Sequence, residues 1–231
     1  MRGPSVTSLV LGLDTAGPTV GVALWENGAS GSWSTPLERG TERILVPAIR
    51  DVLGGRRPDA VAVATGPGTF TGVRVGVATA LGLARAWGCP VAALSSLAVR
   101  AALAAGEPRV LALLDARKER YYAGLYDTRD PVPQPLDEEC DVPFEALLRW
   151  LPAVCAGDGA LLEAKRLEAA GGRIHPRASG HPAVEAARLG ALALASGRTT
   201  DPAQVRIRYI RPPDATPPVG GPGFDNPPGP S

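Results

Sequence analysis

The sequence predicts an α/β protein of two similar lobes, each built on a mixed sheet. Three observations carry this reading. Short apolar runs of strand length form a meander first and then alternate with helical segments. A strand closed by an aspartate and a turn occurs twice, as LGLDTAG at Leu11 to Gly17 and as LALLDARKE at Leu111 to Glu119. Between these echoes stands ATGPGTFTGVRVG, Ala64 to Gly76, a glycine-rich turn joining an apolar strand to the most hydrophobic helix of the chain.

Taken in order, residues 8–13 read as a buried strand ending in Asp14. Val20, Val22 and Leu24 alternate as a second strand, and Asn27-Gly28 is a hairpin turn before a more polar third strand at 30–35. A helix spans 42–53 with Ile44, Leu45, Ala48, Ile49 and Val52 on one side, Thr41 as its cap and Pro47 bending it. Strand 61–65, the glycine loop, a helix from Gly72 to Gly88 and strand 91–94 follow. Ser95 or Ser96 then caps an Ala-rich helix reaching Ala105. The second half repeats the programme with strand 110–114 and a returning strand through Tyr122, Gly124 and Tyr126. Helices are expected at 144–151, 161–170 and 183–196, with a strand at 154–156. The predicted units are an N-terminal lobe 1–106, a C-terminal lobe 107–211 and a Pro/Gly-rich tail 212–231 of disordered composition.

At 231 residues with 45% hydrophobic composition the chain has ample core. A net charge of +1 gives no electrostatic footprint for autonomous nucleic-acid binding. Cys89, Cys140 and Cys155 are odd in number and widely spaced, which suggests neither a disulfide framework nor a zinc site and fits a reducing cytoplasm. The apolar run near the start is too short for a signal peptide, and the helix at 72–88 carries Arg74 and Arg85, so no membrane span is expected.

The loop and its helix are the candidate functional element. Gly66, Gly68 and Gly72 free the backbone while Pro67 stiffens it, and a turn feeding a helix N-terminus aims N–H groups at an anion or a partner's carbonyls. It is not a Walker loop, and its glycine spacing does not match the dinucleotide fingerprint. Gly72, Gly76, Ala80 and Ala84 recur every fourth residue as a flat stripe open to close packing by another backbone. The helix is apolar nearly all round, so one face covers a sheet and the other needs a second partner. A helix buried inside one domain is the competing reading.

With TGPGTFTGVRVG at Thr65 to Gly76, LGLDTAG, ERILVPAI at Glu42 to Ile49, LLDARKERYYAGLY at Leu113 to Tyr126 and RYIRP at Arg208 to Pro212, the chain resembles the TsaB (YeaZ) family. The resemblance implies the two-lobed actin/Hsp70-like, ribonuclease H-like duplicated fold. It also implies a non-catalytic subunit that dimerises with TsaD and, with TsaE, supports threonylcarbamoyl transfer to the adenosine beside the tRNA anticodon. In such a protein the partner interface would hold Gly72, Val73, Gly76, Val77 and Ala80 with Ile44 and Ala48. The chain would contact tRNA only through the complex, with a homodimer in isolation. It would have no cofactor of its own, and ATP or ADP at most at the joint between subunits.

The catalytic relative carries an H-x-x-x-H metal pair where LSSLAVRA here places Ser96 and Arg100, and Gly40 stands where family members often have histidine. No metal site and no catalytic residue is therefore expected, and His175 and His181 read as surface or structural. For nucleotide or anion contact the candidates are Asp14, Gly66, Gly68, Thr69, Arg74 and Asp115. The strand-end aspartates face a metal-nucleotide in kinase-like members of the superfamily; alternatively each accepts N–H bonds in its own turn. The rival functions are a stand-alone ATP-dependent kinase-like phosphotransferase, a metalloprotease, and a homodimeric binding module using the same helix face.

Overall fold

The computed structural model describes residues 8–37 and 41–211. The proposed tail at 212–231, Gly40, and the side chain of the expected cap Thr41 lie outside what is described.

Two mixed sheets form the framework of the two-lobed fold. The first has strand order β3-β2-β1-β4-β5, from β1 (Val10–Asp14), β2 (Thr19–Trp25), β3 (Ala29–Pro36), β4 (Ala60–Ala64) and β5 (Val91–Leu94). β1 runs antiparallel to β2 and parallel to β4, pairing Leu11 with Leu24 on one side and with Val61 on the other. The strand is buried on both faces, which is why its sequence shows no polar alternation. Leu9, Leu11 and Leu13 pack under α1 (Thr41–Leu53) and α2 (Phe70–Trp87), while Val10 faces the opposite side.

The second sheet follows the order β11-β10-β6-β7-β8, with β9 also on β7. Its strands are β6 (Val110–Asp115), β7 (Arg120–Asp127), β8 (Gln134–Pro135), β9 (Cys140–Pro143), β10 (Val154–Ala156) and β11 (Arg173–Ile174). Leu111 and Leu113 face a core with Phe144 and Leu147 of α4 (Phe144–Leu147), Trp150 of the 3-10 turn that follows it, Ala160 of α5 (Asp158–Leu162) and Leu167 of α6 (Ala164–Ala169). The single helix expected at 161–170 is broken at Glu163, which leaves helical backbone at φ −103° and ψ 19°. The hairpin between β6 and β7 turns through Arg117, Lys118 and Glu119, three consecutive non-glycine residues in the left-handed region.

The predicted division at 106/107 separates the strands but not the helices. α3 (Ser96–Ala102) lies between the sheets: Leu97 and Ala101 pack on Val110, Ala112 and Leu114, while Val99 and Ala102 meet α7 (Pro182–Ala195). α7 covers the first sheet, not the second, so the C-terminal lobe does not own the helix assigned to it by sequence order. Its close approach is set by missing side chains. A Cβ on Gly12 would stand 2.5 Å from Ala187 N, and one on Gly190 would stand 3.0 Å from Val10 Cγ1. Past α7 the chain returns to the first lobe, where Thr200 bridges Val91 and Val205 enters the first core. It then crosses to the second lobe, where Ile210 packs with Tyr126 and Arg211 donates to Ala116 O at 3.2 Å.

Candidate functional site

The carboxyl ends of β1, β4, β5, β6 and β10 converge where the lobes meet, the usual position of a ligand crevice in open α/β sheets. Here the crevice is filled by Arg100. Its guanidinium makes a two-pronged pair with Asp14, NH2 to Oδ1 at 2.8 Å and NH1 to Oδ2, and donates to Ser96 O at 3.3 Å. Both side chains are 2% exposed. Asp158, opening α5, stands 4.0 Å from Arg100 Nε. Burial works against the guanidinium's charge, and the Asp14 carboxylate more than offsets it, so Arg100 is held protonated. Burial also pushes Asp158 above the usual carboxylate range, against the pull of Arg100. One cation is shared unequally, with Asp14 taking both prongs. Glycines make the space: a Cβ on Gly17 would lie 2.9 Å from Arg100 NH2, and one on Gly157 would lie 3.0 Å from Arg100 Cγ.

Asp14 does accept within its own turn, from Ala16 N at 3.4 Å, but Arg100 is the partner that sequence reading left out. The available signal was a lone arginine in the apolar helix LAVRAA. Asp115 behaves as a turn residue, accepting from Arg117 N at 2.8 Å, while its own N–H donates to Asp158 Oδ2 at 3.3 Å.

The glycine loop is bound by its own chain. Gly66 N donates to Ser96 Oγ at 3.1 Å, Ser96 N returns to Gly66 O at 2.9 Å, and Thr69 N donates to Ala16 O at 2.8 Å. Gly66 has φ +116°, and a Cβ there would strike Arg208 O. Gly68 lies against Ala16, where a Cβ would come 2.5 Å from Ala16 O. At Gly66 and Thr69, therefore, the N–H groups expected to greet an anion are already spent; Thr69 Oγ1 is buried without a partner.

The small-residue stripe faces the same way. Gly72, Val73, Gly76, Val77, Ala80 and Ala84 are buried, and added methyl groups at Gly72 and Gly76 would clash with Thr15 O and Thr15 Oγ1. Thr15 Oγ1 donates to Gly72 O at 2.6 Å. The backbone that packs on the stripe is this chain's own, at the end of β1, so these five interface candidates do not present a surface to a partner. Ala48 is likewise core, whereas Ile44 is 39% exposed. The outward side of the two helices carries Ile44, Val46 and Pro47 of α1 with Phe70, Thr71, Arg74, Ala78 and Gly82 of α2. Arg74 is exposed but held down on the surface: its guanidinium lies 3.5 Å over the Phe70 ring and Nε donates to Tyr209 Oη at 2.9 Å.

His175 and His181 both have imidazoles shifted below the ordinary range, chiefly by burial. Both ring nitrogens of His181 are buried without a hydrogen-bond partner, beside a cavity of about 180 Å³ lined also by Asp14, Thr19, Ser34 and Ser179. Among the described residues no three His, Cys, Asp or Glu side chains are grouped to hold a metal ion, and no helix is long and apolar enough to cross a membrane.

The family model described as "TsaD: tRNA N6-adenosine threonylcarbamoyltransferase" matches residues 45–175, from α1 to the end of β11. The solved structure of YeaZ from Pseudomonas aeruginosa superposes with a TM-score of 0.73 at 31% identity, covering 87% of this chain and 100% of that one. This chain belongs to the TsaB (YeaZ) family. The Escherichia coli tRNA threonylcarbamoyladenosine biosynthesis protein TsaB is 36% identical over 125 residues, 51% of this chain and 54% of that protein. The Bacillus subtilis protein of the same name is 32% identical over 128 residues, 52% and 56% of the two. The chain thus spans about half the length of these curated TsaB relatives. Against the catalytic pattern of H-x-x-x-H, the TsaB-family chain puts Ser96 at a loop-holding position and Arg100 in the crevice itself.

Proposed function

We propose that this chain acts in tRNA threonylcarbamoyladenosine biosynthesis as a non-catalytic partner subunit, dimerising with TsaD and, with TsaE, supporting threonylcarbamoyl transfer to the adenosine beside the anticodon. The biosynthetic role comes from the names of its TsaB relatives. The observation that carries the non-catalytic part is Arg100. A kinase-like crevice offers its strand-end aspartate to a metal-nucleotide, and here Asp14 is engaged at both oxygens by a cation that is part of the chain. That geometry disfavours the phosphotransferase reading, and arginine in place of a histidine ligand disfavours a metalloprotease.

For pairing, the outward side of α1 and α2 is the supported surface, in place of the buried stripe. Val46 is 53% exposed, and Gly82 has open space where a Cβ would be. Such an apolar, small-residue patch at helix surfaces suits close association with another subunit. The chain contributes no cofactor in this reading, and any ATP or ADP sits at the subunit joint.

The test is reconstitution. Modification of tRNA by TsaD and TsaE should depend on this chain, and undiminished modification without it would overturn the proposal. Phosphate release from ATP by the chain alone would favour the phosphotransferase.

A further inference from the structure

We propose that Arg74, clamped between Phe70 and Tyr209, is the anchor that receives a carboxylate of the partner subunit. The inference rests on the pairing reading above and assigns its polar contact. Arg74 leaves the first turns of α2 on the outward side, and no carboxylate among the described residues pairs with it. Its guanidinium is stacked on Phe70 and its Nε is given to Tyr209 Oη, which leaves NH1 and NH2 without acceptors among the described residues. A guanidinium stacked by a ring on its face and tied by a hydroxyl at Nε presents its NH1/NH2 edge as a preformed fork for a carboxylate. Phe70 and Tyr209 are 39% and 45% exposed, so the clamp is itself a surface, of the aromatic and arginine kind that dominates interface energetics.

The neighbouring charges decide between a protein carboxylate and a polyanion. Arg208 stands 3.3 Å from Glu139, Arg211 is held by Asp141 at 2.5 Å, and Arg206 donates to the carbonyls of Ala203 and Val205. The strap arginines beside the clamp are thus committed, and the other exposed arginines of this side, Arg43 on α1 and Arg85 three turns along α2, stand apart from it; a single fork fits one carboxylate, whereas a nucleic-acid backbone asks for several free cations close together. The patch also continues into the apolar outward side of α1 and α2, and an ion pair at such an edge is screened less than one in open water while keeping part of its hydration.

Affinity for TsaD, and for a second copy of the chain, measured by light scattering and titration, tests this with Arg74→Gln, Arg74→Lys and Tyr209→Phe. Arg74→Gln should weaken pairing by about tenfold or more, with the melting temperature unchanged because Arg74 is at the surface. Arg74→Lys should be nearly as weak, since an ammonium loses the fork and the stack; Tyr209→Phe should fall between. Pairing that survives Arg74→Gln overturns the anchor and leaves the subunit reading standing. Full rescue by lysine overturns the fork. If pairing is unchanged while tRNA binding by the assembled complex is lost in Arg74→Gln, the site belongs to phosphate and the proposal fails. Absence of any pairing by the unaltered chain overturns both readings.

Discussion

Removing the charge of Arg100 while keeping most of its volume, as in Arg100→Met, is the sharpest test of the crevice. Asp14 would be left as a carboxylate at 2% exposure, with a 3.4 Å bond from Ala16 N as its remaining hydrogen bond among the described residues. Breaking one side of a buried pair costs about 3–5 kcal/mol, because the orphaned charge has neither water nor partner. For a chain of this size each kcal/mol is worth about 2–4 °C in melting temperature, so a fall of roughly 6–20 °C is expected. Asp14→Asn should cost less than Arg100→Met, since the cation left behind still has Asp158 at 4.0 Å. In the double variant neither charge remains, and most of the loss should return. The coupling energy from urea or thermal unfolding of the four proteins is expected at about 2–4 kcal/mol, well above the few tenths seen for independent sites. Additive single costs would refute the reasoning, because they would mean that the two side chains merely fill space.

Three further outcomes follow from the same geometry. Gly76→Ala pushes a methyl group into Thr15 Oγ1, so it should destabilise the fold by about 1–3 kcal/mol and leave pairing of the folded protein intact; lost co-elution at an unchanged melting temperature would return the stripe to the outer surface. Asp158 has its pKa raised in the folded state, so the native protein binds more protons than the unfolded chain and stability is lost as pH rises from about 4. Asp158→Asn should flatten that part of the profile, and parallel profiles for the two proteins would contradict it. His181 is shifted the other way: the folded protein binds fewer protons, so its stabilising share is present above the ordinary imidazole value of 6.5 and is lost as pH falls through it. His181→Gln should lose less stability between pH 7 and 5 than the unaltered chain, and equal slopes would rule out a cost of protonating this ring.

What was legible in the sequence was whatever is recorded in short-range pattern. β1, β4 and β6 are continuous apolar runs because both faces are covered, and the Asn27-Gly28 turn announces the hairpin of β2 and β3. The period of α2 was equally plain, but a stripe of small residues says that a backbone comes close without saying whose. It is Thr15 of the same chain, and the face left for others begins with Phe70, Thr71 and Arg74. β8 and β11 have two residues each and β9 has four, too few to alternate, and prolines in β8 and β9 mask the pattern further. The docking of α7 on the first sheet is a long-range fact. Its trace was the complementarity of Gly12 and Gly190 with the opposing surfaces, which no local period reveals.

The position of Arg100 bears on what kind of device the two lobes make. Asp14, at the end of β1, and Asp158, opening α5, both approach the crevice, and Arg100 is the positive group between them. When that group is a bound cation it can leave, and closure becomes a step that binding controls. Arg100 is attached to α3, which is itself wedged between the second sheet and α7, so its charge cannot depart without unfolding the helix that carries it. The strap at 205–211 adds a second tie, from Thr65 O through Arg208 N at 2.8 Å to Ala116 through Arg211. Two ties made by the chain itself favour a body of fixed shape. Fixed shape is what an interface needs, because the side chains proposed to meet a partner, Ile44, Val46 and Arg74, then stand in one arrangement and little order remains to be imposed on association.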